Sequence, residues 1–456
     1  MESLGINRIP YVESPVTIFE RLEPHYDHIY LLESVEGLER LAKYSFLGFK
    51  PQKIVSIKNG KAKVIDLDSK REKIQEITDP LSILRRHIRE CHQNFSRFRL
   101  VGGAVGYISY DAVRYWERLP NHAIDDSEYP DIEMAIFKDG IVFDHIEKEA
   151  YYYHRGESRL DELKNTLKKQ QDRGVSLKYT GPNLNISRRE FADTVLKAKE
   201  YIYSGEIFQV VLSKRYSFNI EGPLINFYRT LRTINPSPYM FYLKMGQRQI
   251  VGSSPEMLLR VEGNLLETYP IAGTRPVTDD PERDRMLAEE LLSDHKERAE
   301  HVMLVDLARN DLGKVAEYGS VQVPEFMQIH RYSHVQHIVS RVTGRLRQDR
   351  DSFDAFKAML PAGTVSGAPK PRAMEIIDEL EPTRRGPYAG AAGYFSFNGN
   401  SDFAITIRTL TANKDEAAIQ VGAGIVADSD PEREWFETEH KAAALMKALA
   451  KAGEEV

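Results

Sequence analysis

The sequence predicts an α+β fold in which antiparallel strands and helices follow one another along the chain. In the first third, β-rich segments flank Asn59-Gly60 and Asp139-Gly140, two dipeptides that favour the tight turns of hairpins. In the second half, helix-like stretches alternate with further hairpin patterns. The glycine-rich segments lack the strand, glycine and helix order of a dinucleotide-binding fold, which argues against a doubly wound parallel sheet.

The elements group into three parts along the chain. Residues 1–155 form an N-terminal region of predicted sheet. Residues 156–187 are polar and rich in Lys and Gln around a predicted solvated helix, which predicts a linker. Residues 188–453 form a second region, with predicted hairpins at 257–267 and 394–410 and predicted helices at 188–203, 281–292, 294–308 and 431–450.

Composition places the chain in the ordinary globular class. It has 456 residues, of which 41% are hydrophobic, and its 62 basic and 68 acidic residues leave a formal charge of -6 without long blocks of one sign. Nucleic-acid binding is therefore not expected. The single cysteine, Cys91, excludes an intramolecular disulfide and a Cys-rich metal site and fits a reducing compartment. Neither a signal peptide nor an apolar run of membrane-spanning length is evident, so we expect a cytoplasmic protein without membrane association.

Two predicted helices carry pairs of glutamates one turn apart. A proline at the first helical position fixes the phase of the last helix, so that Glu434, Glu437 and Lys441 share a face that borders an apolar stripe. The helix at 294–308 repeats the arrangement with Glu297 and Glu300. The spacing therefore directs two carboxylates of each helix toward a partly buried face.

A buried carboxylate needs a partner, and a cation is the simplest one. Oxygen ligands without cysteine indicate a hard ion, and carboxylate pairs that leave open positions suit Mg²⁺ better than Ca²⁺. The alternative is that these glutamates lie on solvated faces and pair with Lys or Arg. Spacing alone favours that simpler alternative and does not exclude the metal.

Three further features are candidates for binding an anion. Gly422-Ala423-Gly424 ends a predicted strand just before the acidic helix, where free backbone N–H groups can meet an anion. Arg408 ends the predicted strand 403–408, and Tyr388 follows a Gly-Pro turn, although an edge-strand arginine and a core tyrosine are equally ordinary outcomes. His334 and His337 are spaced as zinc ligands could be, but no third ligand motif lies nearby.

Six segments, taken together, resemble the chorismate-utilising enzymes and, among them, the anthranilate synthase component I family. The segments follow one another in a single order and are GEIFQVVLS at 205–213, GSSPE at 252–256, PIAGTRP at 270–276, KERAEH at 296–301, PAGTVSGAPK at 361–370 and GAGIVAD at 422–428. The resemblance implies two antiparallel β-sheets packed together with helices on the outside. It also implies that the N-terminal region is regulatory and that the second region binds chorismate.

The reaction that the resemblance implies converts chorismate and ammonia to anthranilate and pyruvate, in the first step of tryptophan biosynthesis. It favours the magnesium interpretation, with Glu300 and Glu437 binding Mg²⁺ directly and with Glu297 and Glu434 holding its waters. The substrate contacts that it implies come from Thr274, Tyr388, Arg408, Gly422, Gly424 and Lys441.

Catalytic roles are implied for Glu256, His337, Thr364 and Gln209. Glu256 matches the general acid that protonates the departing ring hydroxyl, a role that needs a pKa raised by burial. His337 and Thr364 match residues near the enolpyruvyl ether, and His337 is the candidate base for aromatisation. Members of the family that add water resemble this chain but have a lysine where Gln209 stands, so a neutral amide here fits amination. Ala272 stands where aminodeoxychorismate synthases typically have a nucleophilic lysine, which favours anthranilate as the product.

Partners and regulation are also implied. The chain has no glutaminase motif, so we expect a separate glutaminase subunit and therefore a hetero-oligomer. Two segments resemble the family's tryptophan-feedback site, and their residues are Glu33, Ser34, Asn235, Pro236, Ser237, Pro238, Tyr239 and Met240. The simpler interpretation is a strand end and a proline turn. Two other functions remain alternatives: aminodeoxychorismate synthase component I, and a non-catalytic tryptophan-sensing subunit on the same scaffold.

Overall fold

Two antiparallel β-sheets form the centre of the molecule, as the sequence predicts. The structure is a computed structural model and describes residues 3–11, 13–35, 42–92, 94–169 and 176–454. Along this part of the chain, the strands are β1 (Leu4–Ile9), β2 (His28–Glu33), β3 (Tyr44–Phe49), β4 (Lys53–Lys58), β5 (Lys61–Asp66), β6 (Arg71–Glu76), β7 (Gly103–Ile108), β8 (Ile132–Phe137), β9 (Gly140–Asp144), β10 (Glu149–Arg155), β11 (Lys178–Tyr179), β12 (Asn183–Leu184), β13 (Gln209–Glu221), β14 (Tyr239–Met245), β15 (Arg248–Ser254), β16 (Met257–Glu262), β17 (Leu265–Thr268), β18 (Ile271–Pro276), β19 (Gln322–Arg331), β20 (Val335–Arg345), β21 (Gly367–Ala368), β22 (Ala391–Ser396), β23 (Ser401–Ile405), β24 (Thr409–Asn413) and β25 (Glu416–Ile425).

The helices follow the predicted spans closely. The α-helices are α1 (Pro15–Leu22), α2 (Leu81–Glu90), α3 (Leu160–Leu167), α4 (Arg188–Tyr203), α5 (Ile225–Ile234), α6 (Pro281–Ser293), α7 (His295–Gly313), α8 (Ser352–Met359), α9 (Lys370–Leu380) and α10 (Pro431–Glu454). All four helices predicted in the second region are present as α4, α6, α7 and α10. Helix α3 is the solvated helix predicted between the two regions.

The strands of the two predicted regions mix in both sheets. The first sheet has the order β1-β10-β9-β3-β2-β14-β15-β24-β25-β13-β11, with β12 and β21 also paired to β13. The second sheet has the order β18-β20-β17-β16-β23-β22-β7-β8-β4-β5-β6, with β19 paired to β20. Strands of the N-terminal region therefore extend sheets to which the second region also contributes.

Three apolar clusters define the layers. One lies between the sheets and joins residues such as Tyr30 and Leu243 of the first sheet to Val105 and Phe137 of the second. A second cluster joins the outer face of the first sheet to α1, α3, α5 and α10. A third joins the second sheet and the start of β13 to α2, α4, α7, α8 and α9. The result is helices outside two packed sheets, with each helix burying one apolar face.

The two predicted hairpin turns have different outcomes. Asn59 and Gly60 both have positive φ and join β4 to β5, which confirms the first hairpin. The second prediction is wrong, because β8 belongs to the second sheet and β9 to the first. Asp139 lies where the chain crosses between the sheets, and its buried carboxylate accepts hydrogen bonds from Arg159 and Tyr152. A tight turn would carry that carboxylate into solvent, away from both donors.

The helices of the described residues are too short or too polar to cross a bilayer.

Candidate active site

Two crossings between the sheets place the first pair of candidate residues side by side. Glu256 lies between β15 of the first sheet and β16 of the second, and Arg408 lies between β23 and β24 on the return. The Ser253 N–H donates to the Arg408 carbonyl at 3.0 Å, and the Ile405 N–H donates to the Glu256 carbonyl at 3.0 Å. Both residues are therefore fixed to the same junction of the two sheets.

The predicted strand 403–408 is too long. Strand β23 ends at Ile405, and Arg408 has a φ of 51°, in the left-handed region. This turn lets the guanidinium leave the sheet and reach α10, where its Nη1 donates to the Lys441 carbonyl at 3.2 Å. Such a backbone is uncommon for a side chain larger than Asn or Asp, so the surrounding structure must hold it.

Glu256 is a carboxyl group in an apolar setting. Its residue is 7% exposed, and burial raises its pKa to about 8. The Thr364 hydroxyl and the Lys441 ammonium lie near enough to lower that pKa. Among the described residues the Thr364 hydroxyl has no hydrogen-bond partner at ordinary distance. Glu256 therefore carries a proton at neutral pH and has a hydroxyl group beside it.

His337 on β20 faces a carbonyl on β18. Its Nδ1 lies 2.8 Å from the Gly273 carbonyl and 3.1 Å from the Thr274 hydroxyl. Because a carbonyl only accepts, the hydrogen is on Nδ1 and the lone pair is on Nε2. Burial lowers the pKa of His337, and Arg408 lowers it further. The ring is therefore neutral, and Nε2 is available as a base.

A half-buried Arg408 and a buried Tyr388 form a cationic corner of the site. Burial lowers the pKa of Arg408, while Tyr388 and Glu437 raise it. Burial also raises the pKa of Tyr388 to about 12, so its hydroxyl keeps its proton. A half-buried guanidinium that donates to a backbone carbonyl is well suited to bind a carboxylate with its other N–H groups.

The glycines of β25 lie under these groups. A Cβ on Gly422 would meet the Tyr388 hydroxyl at 2.6 Å, and a Cβ on Gly424 would meet the Gln209 Nε2 at 2.6 Å. The Lys441 ammonium donates to the Gly422 carbonyl at 2.9 Å. Since that carbonyl points away from β13, the Gly422 N–H points the same way, toward the site. The prediction that this strand end offers backbone donors to a ligand is consistent with this orientation.

The acidic helices begin with the predicted caps. Asp294 accepts from the N–H groups of Lys296 and Glu297 at the start of α7. Asp430 accepts from the N–H groups of residues 432 and 433 at the start of α10. These caps set the helical phase that directs the glutamates of both helices toward the site.

Like charges repel within each pair of glutamates, and Glu300 and Glu437 repel one another across the gap between the helices. Burial raises the pKa of Glu300, and Glu437 on the other helix raises it further. Burial also raises the pKa of Glu297, with Glu300 adding to the effect. Burial and Glu437 do the same for Glu434. Like charges on two different helices therefore face a common space.

These donors fit a hard cation, although they do not form a converged cluster. No group of three or more His, Cys, Asp or Glu side chains meets at metal-ligating distance within the described ranges. One buried carboxylate oxygen, Glu434 Oε2, has no hydrogen-bond partner there. Glu437 pairs with Lys441 at 2.7 Å, and Glu297 lies 3.9 Å from Arg275. Oxygen donors with raised pKa values and one unsatisfied oxygen match the chemistry of Mg²⁺.

Gln209 connects the acidic helices to the glycine edge. Its Nε2 donates to Glu300 Oε1 at 3.1 Å. Its Oε1 is buried and has no partner among the described residues. This acceptor can take a hydrogen from a ligand with N–H or O–H groups.

The residues of the predicted tryptophan site lie together, away from this centre. Glu33, Ser34, Pro238, Tyr239 and Met240 line a cavity of about 40 Å³ between the two sheets. The Ser34 hydroxyl is buried without a partner in the described part of the chain. The carboxylate of Glu33 is bound instead by the α5 side chains Tyr228, at 2.7 Å, and Arg232, at 3.2 Å.

The Asn235–Ser237 segment supports the same cavity from behind. The Asn235 amide donates to the Ser253 hydroxyl at 3.1 Å, and that hydroxyl donates to the Ser237 hydroxyl at 2.8 Å. Pro236, between them, is half-buried. His334 is exposed and contacts Ser333, which gives no support to a zinc site with His337.

An ion pair that the sequence did not single out supports the site. Arg385 donates to Glu381 and also to the carbonyls of Val211 and Val365, at 2.7 and 2.6 Å. Glu381 in turn accepts from the N–H and hydroxyl of Ser213, both at 2.8 Å. The only sequence signal was an acid and a base four residues apart, which occurs on many exposed helix turns.

Comparisons with known proteins identify the family of the chain. The profile of the family described as chorismate binding enzyme matches residues 27–447. The chain is 49% identical over 442 residues to anthranilate synthase component 1 of Methanothermobacter marburgensis, which covers 97% of this chain and 94% of that relative. It is 43% identical over 446 residues to anthranilate synthase component 1 of Saccharolobus solfataricus, which covers 98% of this chain and 99% of that relative.

Solved structures show the same fold. The structure of anthranilate synthase component I from Streptococcus pneumoniae TIGR4 matches with a TM-score of 0.78 and 36% identity, over 96% of this chain and 99% of that one. The menaquinone-specific isochorismate synthase of Escherichia coli matches with a TM-score of 0.75, over 98% of this chain and 95% of that one. At 21% identity, the second match concerns the fold alone.

Proposed function

Because this chain belongs to the family of chorismate-binding enzymes, and within it to anthranilate synthase component I, we propose that it converts chorismate and ammonia to anthranilate, pyruvate and water. The observation that carries the proposal is the presence of both a protonated, buried carboxyl group, Glu256, and a neutral amide, Gln209. An acid is needed to release the ring hydroxyl, and a neutral amide suits a nucleophile that needs no activation. Ammonia is such a nucleophile.

Substrate binding uses the charges of the site. Chorismate is a dicarboxylate, and Arg408 presents a half-buried guanidinium that donates to the Lys441 carbonyl. We assign one carboxylate to Arg408, the Tyr388 hydroxyl and the Gly422 and Gly424 amides. The ring carboxylate then lies toward the acidic helices, near Lys441. Holding a substrate at both ends supplies the orientation that catalysis requires.

The proposed magnesium site is inferred from the carboxylate oxygens of the four glutamates. Glu300 and Glu437 would bind Mg²⁺ directly, and Glu297 and Glu434 would hold its waters. When bound, the ion neutralises the repelling carboxylates and attracts the ring carboxylate of chorismate. The raised pKa values of three of these glutamates and the unsatisfied Glu434 oxygen support this assignment.

The first chemical step is an amination with loss of water. Ammonia adds to the ring carbon next to the carboxylate-bearing carbon, the ring double bonds shift, and the C–O bond to the ring hydroxyl breaks. Glu256 donates its proton to the departing oxygen, which leaves as water. The free Gln209 Oε1 accepts an N–H of ammonia and aligns it for attack. One proton of the ammonium group that forms passes to solvent or returns to Glu256.

The second step is aromatisation. His337 Nε2 removes the hydrogen from the aminated ring carbon, and the enolpyruvyl C–O bond breaks as the ring becomes aromatic. The fixed hydrogen bond from Nδ1 to the Gly273 carbonyl keeps the lone pair on Nε2. The Thr364 hydroxyl, unpartnered beside Glu256, donates to the ether oxygen. The enolpyruvate that leaves becomes pyruvate.

A separate glutaminase subunit would supply the ammonia, and tryptophan would act as a feedback inhibitor at the cavity lined by Ser34. The unsatisfied Ser34 hydroxyl and the position of that cavity between the sheets support an effector site there.

The decisive test is an assay of the purified chain with chorismate, ammonium and Mg²⁺, with product identification by fluorescence and mass. We expect anthranilate and pyruvate in equal amounts. A para-substituted amino product would instead identify an aminodeoxychorismate synthase component I, which Ala272 disfavours because it has no nucleophile. Absence of turnover would favour a non-catalytic sensing subunit.

A further inference from the structure

Lys370 is a buried lysine that has no part in the reaction steps described above. It follows the turn that carries Thr364 and is the first residue of α9, and its side chain is only 11% exposed. The positive end of the helix dipole lies at this position, so an ammonium group there opposes the dipole. The charge of Lys370 is therefore stabilised by its contacts and not by its place in α9.

The contacts of Lys370 join the ends of three helices. Its ammonium donates to Asp311 Oδ2, near the end of α7, at 2.5 Å, and to the carbonyl of Met359, at the end of α8, at 3.4 Å. Asp311 is buried, and its other oxygen accepts from Lys314 at 2.9 Å. The Lys314 side chain is 58% exposed. The buried side of the Asp311 carboxylate therefore belongs to Lys370.

The connection between α8 and α9 carries Thr364 and lies against α7. The Ser366 hydroxyl donates to the carbonyl four residues before it at 2.7 Å, which closes a turn around Thr364. A Cβ on Gly363 would meet the Leu307 side chain of α7 at 2.7 Å, so this turn and α7 are in close contact. Because Lys370 binds the last residue of α8 and itself begins α9, it fastens both ends of the connection to α7.

The face of α7 that Lys370 binds continues into the active site. Asp311 follows Glu300 by 11 residues, about three helical turns or ~16 Å, so the two side chains lie on the same face of α7. Asp311 lines a cavity of about 30 Å³ together with Glu256 and Thr364. One face of α7 therefore borders the acid, the hydroxyl group and the buried ion pair.

Resting on the proposed function, we propose that Lys370 is a positioning residue, whose bond to Asp311 sets the place of the Thr364 hydroxyl relative to Glu256 and to the ether oxygen of chorismate. The Thr364 hydroxyl has no hydrogen-bond partner among the described residues, so its place depends on the turn that carries it. Lys370 contacts a carboxylate and a backbone carbonyl, and it acts on the reaction only through Thr364. Its loss slows the second step, in which Thr364 donates to the ether oxygen.

The test uses one variant, one rescue and one matched control. Lys370→Met removes the ammonium group and keeps an unbranched side chain, whereas Lys370→Arg keeps a cation. Lys314→Met is the matched control, because it removes the exposed partner of the same Asp311 carboxylate. Lys370→Met is also combined with Thr364→Val, which removes the hydroxyl group but keeps the shape of the side chain. For each protein we would measure the melting temperature, kcat and KM for chorismate with saturating ammonium and Mg²⁺, and the compounds formed, by chromatography and mass.

We expect Lys370→Met to lower kcat by about tenfold to a hundredfold and to change KM for chorismate by less than about twofold. The aminated ring compound that still carries its enolpyruvyl group should accumulate, because the second step is slowed. Lys370→Arg should retain most of the wild-type kcat, and Lys314→Met should retain nearly all of it. In the Thr364→Val background, Lys370→Met should lower kcat by less than about twofold further, because the group that it positions is already absent.

Three results would overturn the proposal: a wild-type kcat in Lys370→Met, an equal loss of kcat in Lys314→Met, or losses that multiply when Lys370→Met and Thr364→Val are combined. If Lys370→Met does not fold, the same measurements apply to Lys370→Met with Asp311→Asn, which leaves no buried charge in the pair. A wild-type kcat in that double variant would assign the ion pair to stability alone. Failure of the proposed function is distinct, since the wild-type chain would then make no anthranilate from ammonium.

Discussion

At the scale of single residues, burial decides which groups can act as acid and which as base. Glu256 and His337 both lie in desolvated positions, and desolvation disfavours the charged form of each. A carboxyl group therefore keeps its proton and an imidazole loses it. This division supplies an acid and a base at the same pH.

The pH dependence follows from Glu256. Its pKa is raised to about 8, so the active, protonated form is present below that pH and disappears as the pH rises through it. We expect kcat/KM for chorismate to fall above about pH 8. The measurement must hold the concentration of neutral ammonia constant, because that concentration itself rises with pH. Glu256→Gln removes the proton and should lower kcat by about 10²–10⁴-fold. A pH profile of the wild type that stays flat to well above pH 8 would contradict the assignment.

Gln209 offers a second residue-scale prediction. Gln209→Met keeps the length of the side chain and removes the free Oε1 acceptor. Loss of one hydrogen bond to a reacting group, about 1–3 kcal/mol, should lower kcat/KM for ammonia by roughly tenfold to a hundredfold. The KM for chorismate should change little. Magnesium titrations of both proteins serve as the control, because Gln209 also contacts Glu300. An unchanged dependence on ammonia would reject the positioning role.

Sequence reasoning named these residues as candidates but did not predict their surroundings. The resemblance to a known family supplied Glu256, and only the fold shows that its carboxyl group lies at a crossing between the sheets. The same limit explains why the prediction for Arg408 was wrong: the alternation of side chains placed this residue on a strand. Its left-handed turn depends on a contact with α10 that no local pattern contains.

At the scale of elements, the site is an arrangement of helix ends and strand edges that were predictable one by one. Capping residues and apolar spacing located α7 and α10 to within a few residues. Spacing did not predict that Glu300 of α7 and Glu437 of α10 lie near enough to repel each other, because that depends on how the helices pack. The hairpin prediction at Asp139 was wrong for the same reason, because a hairpin signal does not state which sheet receives the next strand.

The facing helices predict a response to magnesium. Glu300→Gln should abolish activity and also remove the thermal stabilisation by Mg²⁺ that we expect for the wild type. A ligand at about 100 times its Kd stabilises a protein by about 2.7 kcal/mol, which a melting experiment resolves. Without Mg²⁺ the variant should be at least as stable as the wild type, because one repelling carboxylate is gone. The control is Glu432→Gln on the exposed side of α10. Equal stabilisation of both variants by Mg²⁺ would contradict the ligand role.

The buried pair of Arg385 and Glu381 predicts a coupling between elements. It holds β13 through Val211 and the turn before β21 through Val365, and the guanidinium also lies 5.6 Å from the Tyr388 ring centre. Arg385→Met leaves a buried carboxylate unpaired and should cost about 3–5 kcal/mol of stability.

The double variant Arg385→Met with Glu381→Met separates the two roles of this pair. It should recover much of the lost stability, because no buried charge is left unpaired. Its kcat should stay below that of the wild type, because the contacts with Val211, Val365 and Tyr388 are not restored. Recovery of kcat together with stability would show that the pair supports the fold alone. Urea melts and steady-state kinetics of the two variants give both answers.

At the scale of the whole molecule, the two crossings connect the cavity between the sheets to the chemistry. The cavity lined by Ser34 lies between the sheets, and Tyr239 in its wall pairs with Ser254, two residues before Glu256. The Asn235 amide binds the Ser253 hydroxyl, and the Ser253 N–H binds the Arg408 carbonyl. A ligand that spreads the sheets at the cavity would therefore move the backbone that holds both groups.

This geometry predicts how tryptophan inhibition would be lost. We expect tryptophan to bind a state in which the sheets separate locally around this cavity, whose volume is about 40 Å³. Such a ligand inhibits only if it binds that state more tightly than the active one. Ser34→Phe fills the cavity with a phenyl ring without separating the sheets. It should raise the tryptophan concentration for half-inhibition by about tenfold or more and leave kcat near the wild-type value. Ser34→Ala is the matched control for loss of the hydroxyl alone. Inhibition of Ser34→Phe at wild-type tryptophan concentrations would place the effector elsewhere and would remove the link between this cavity and the junction of the sheets.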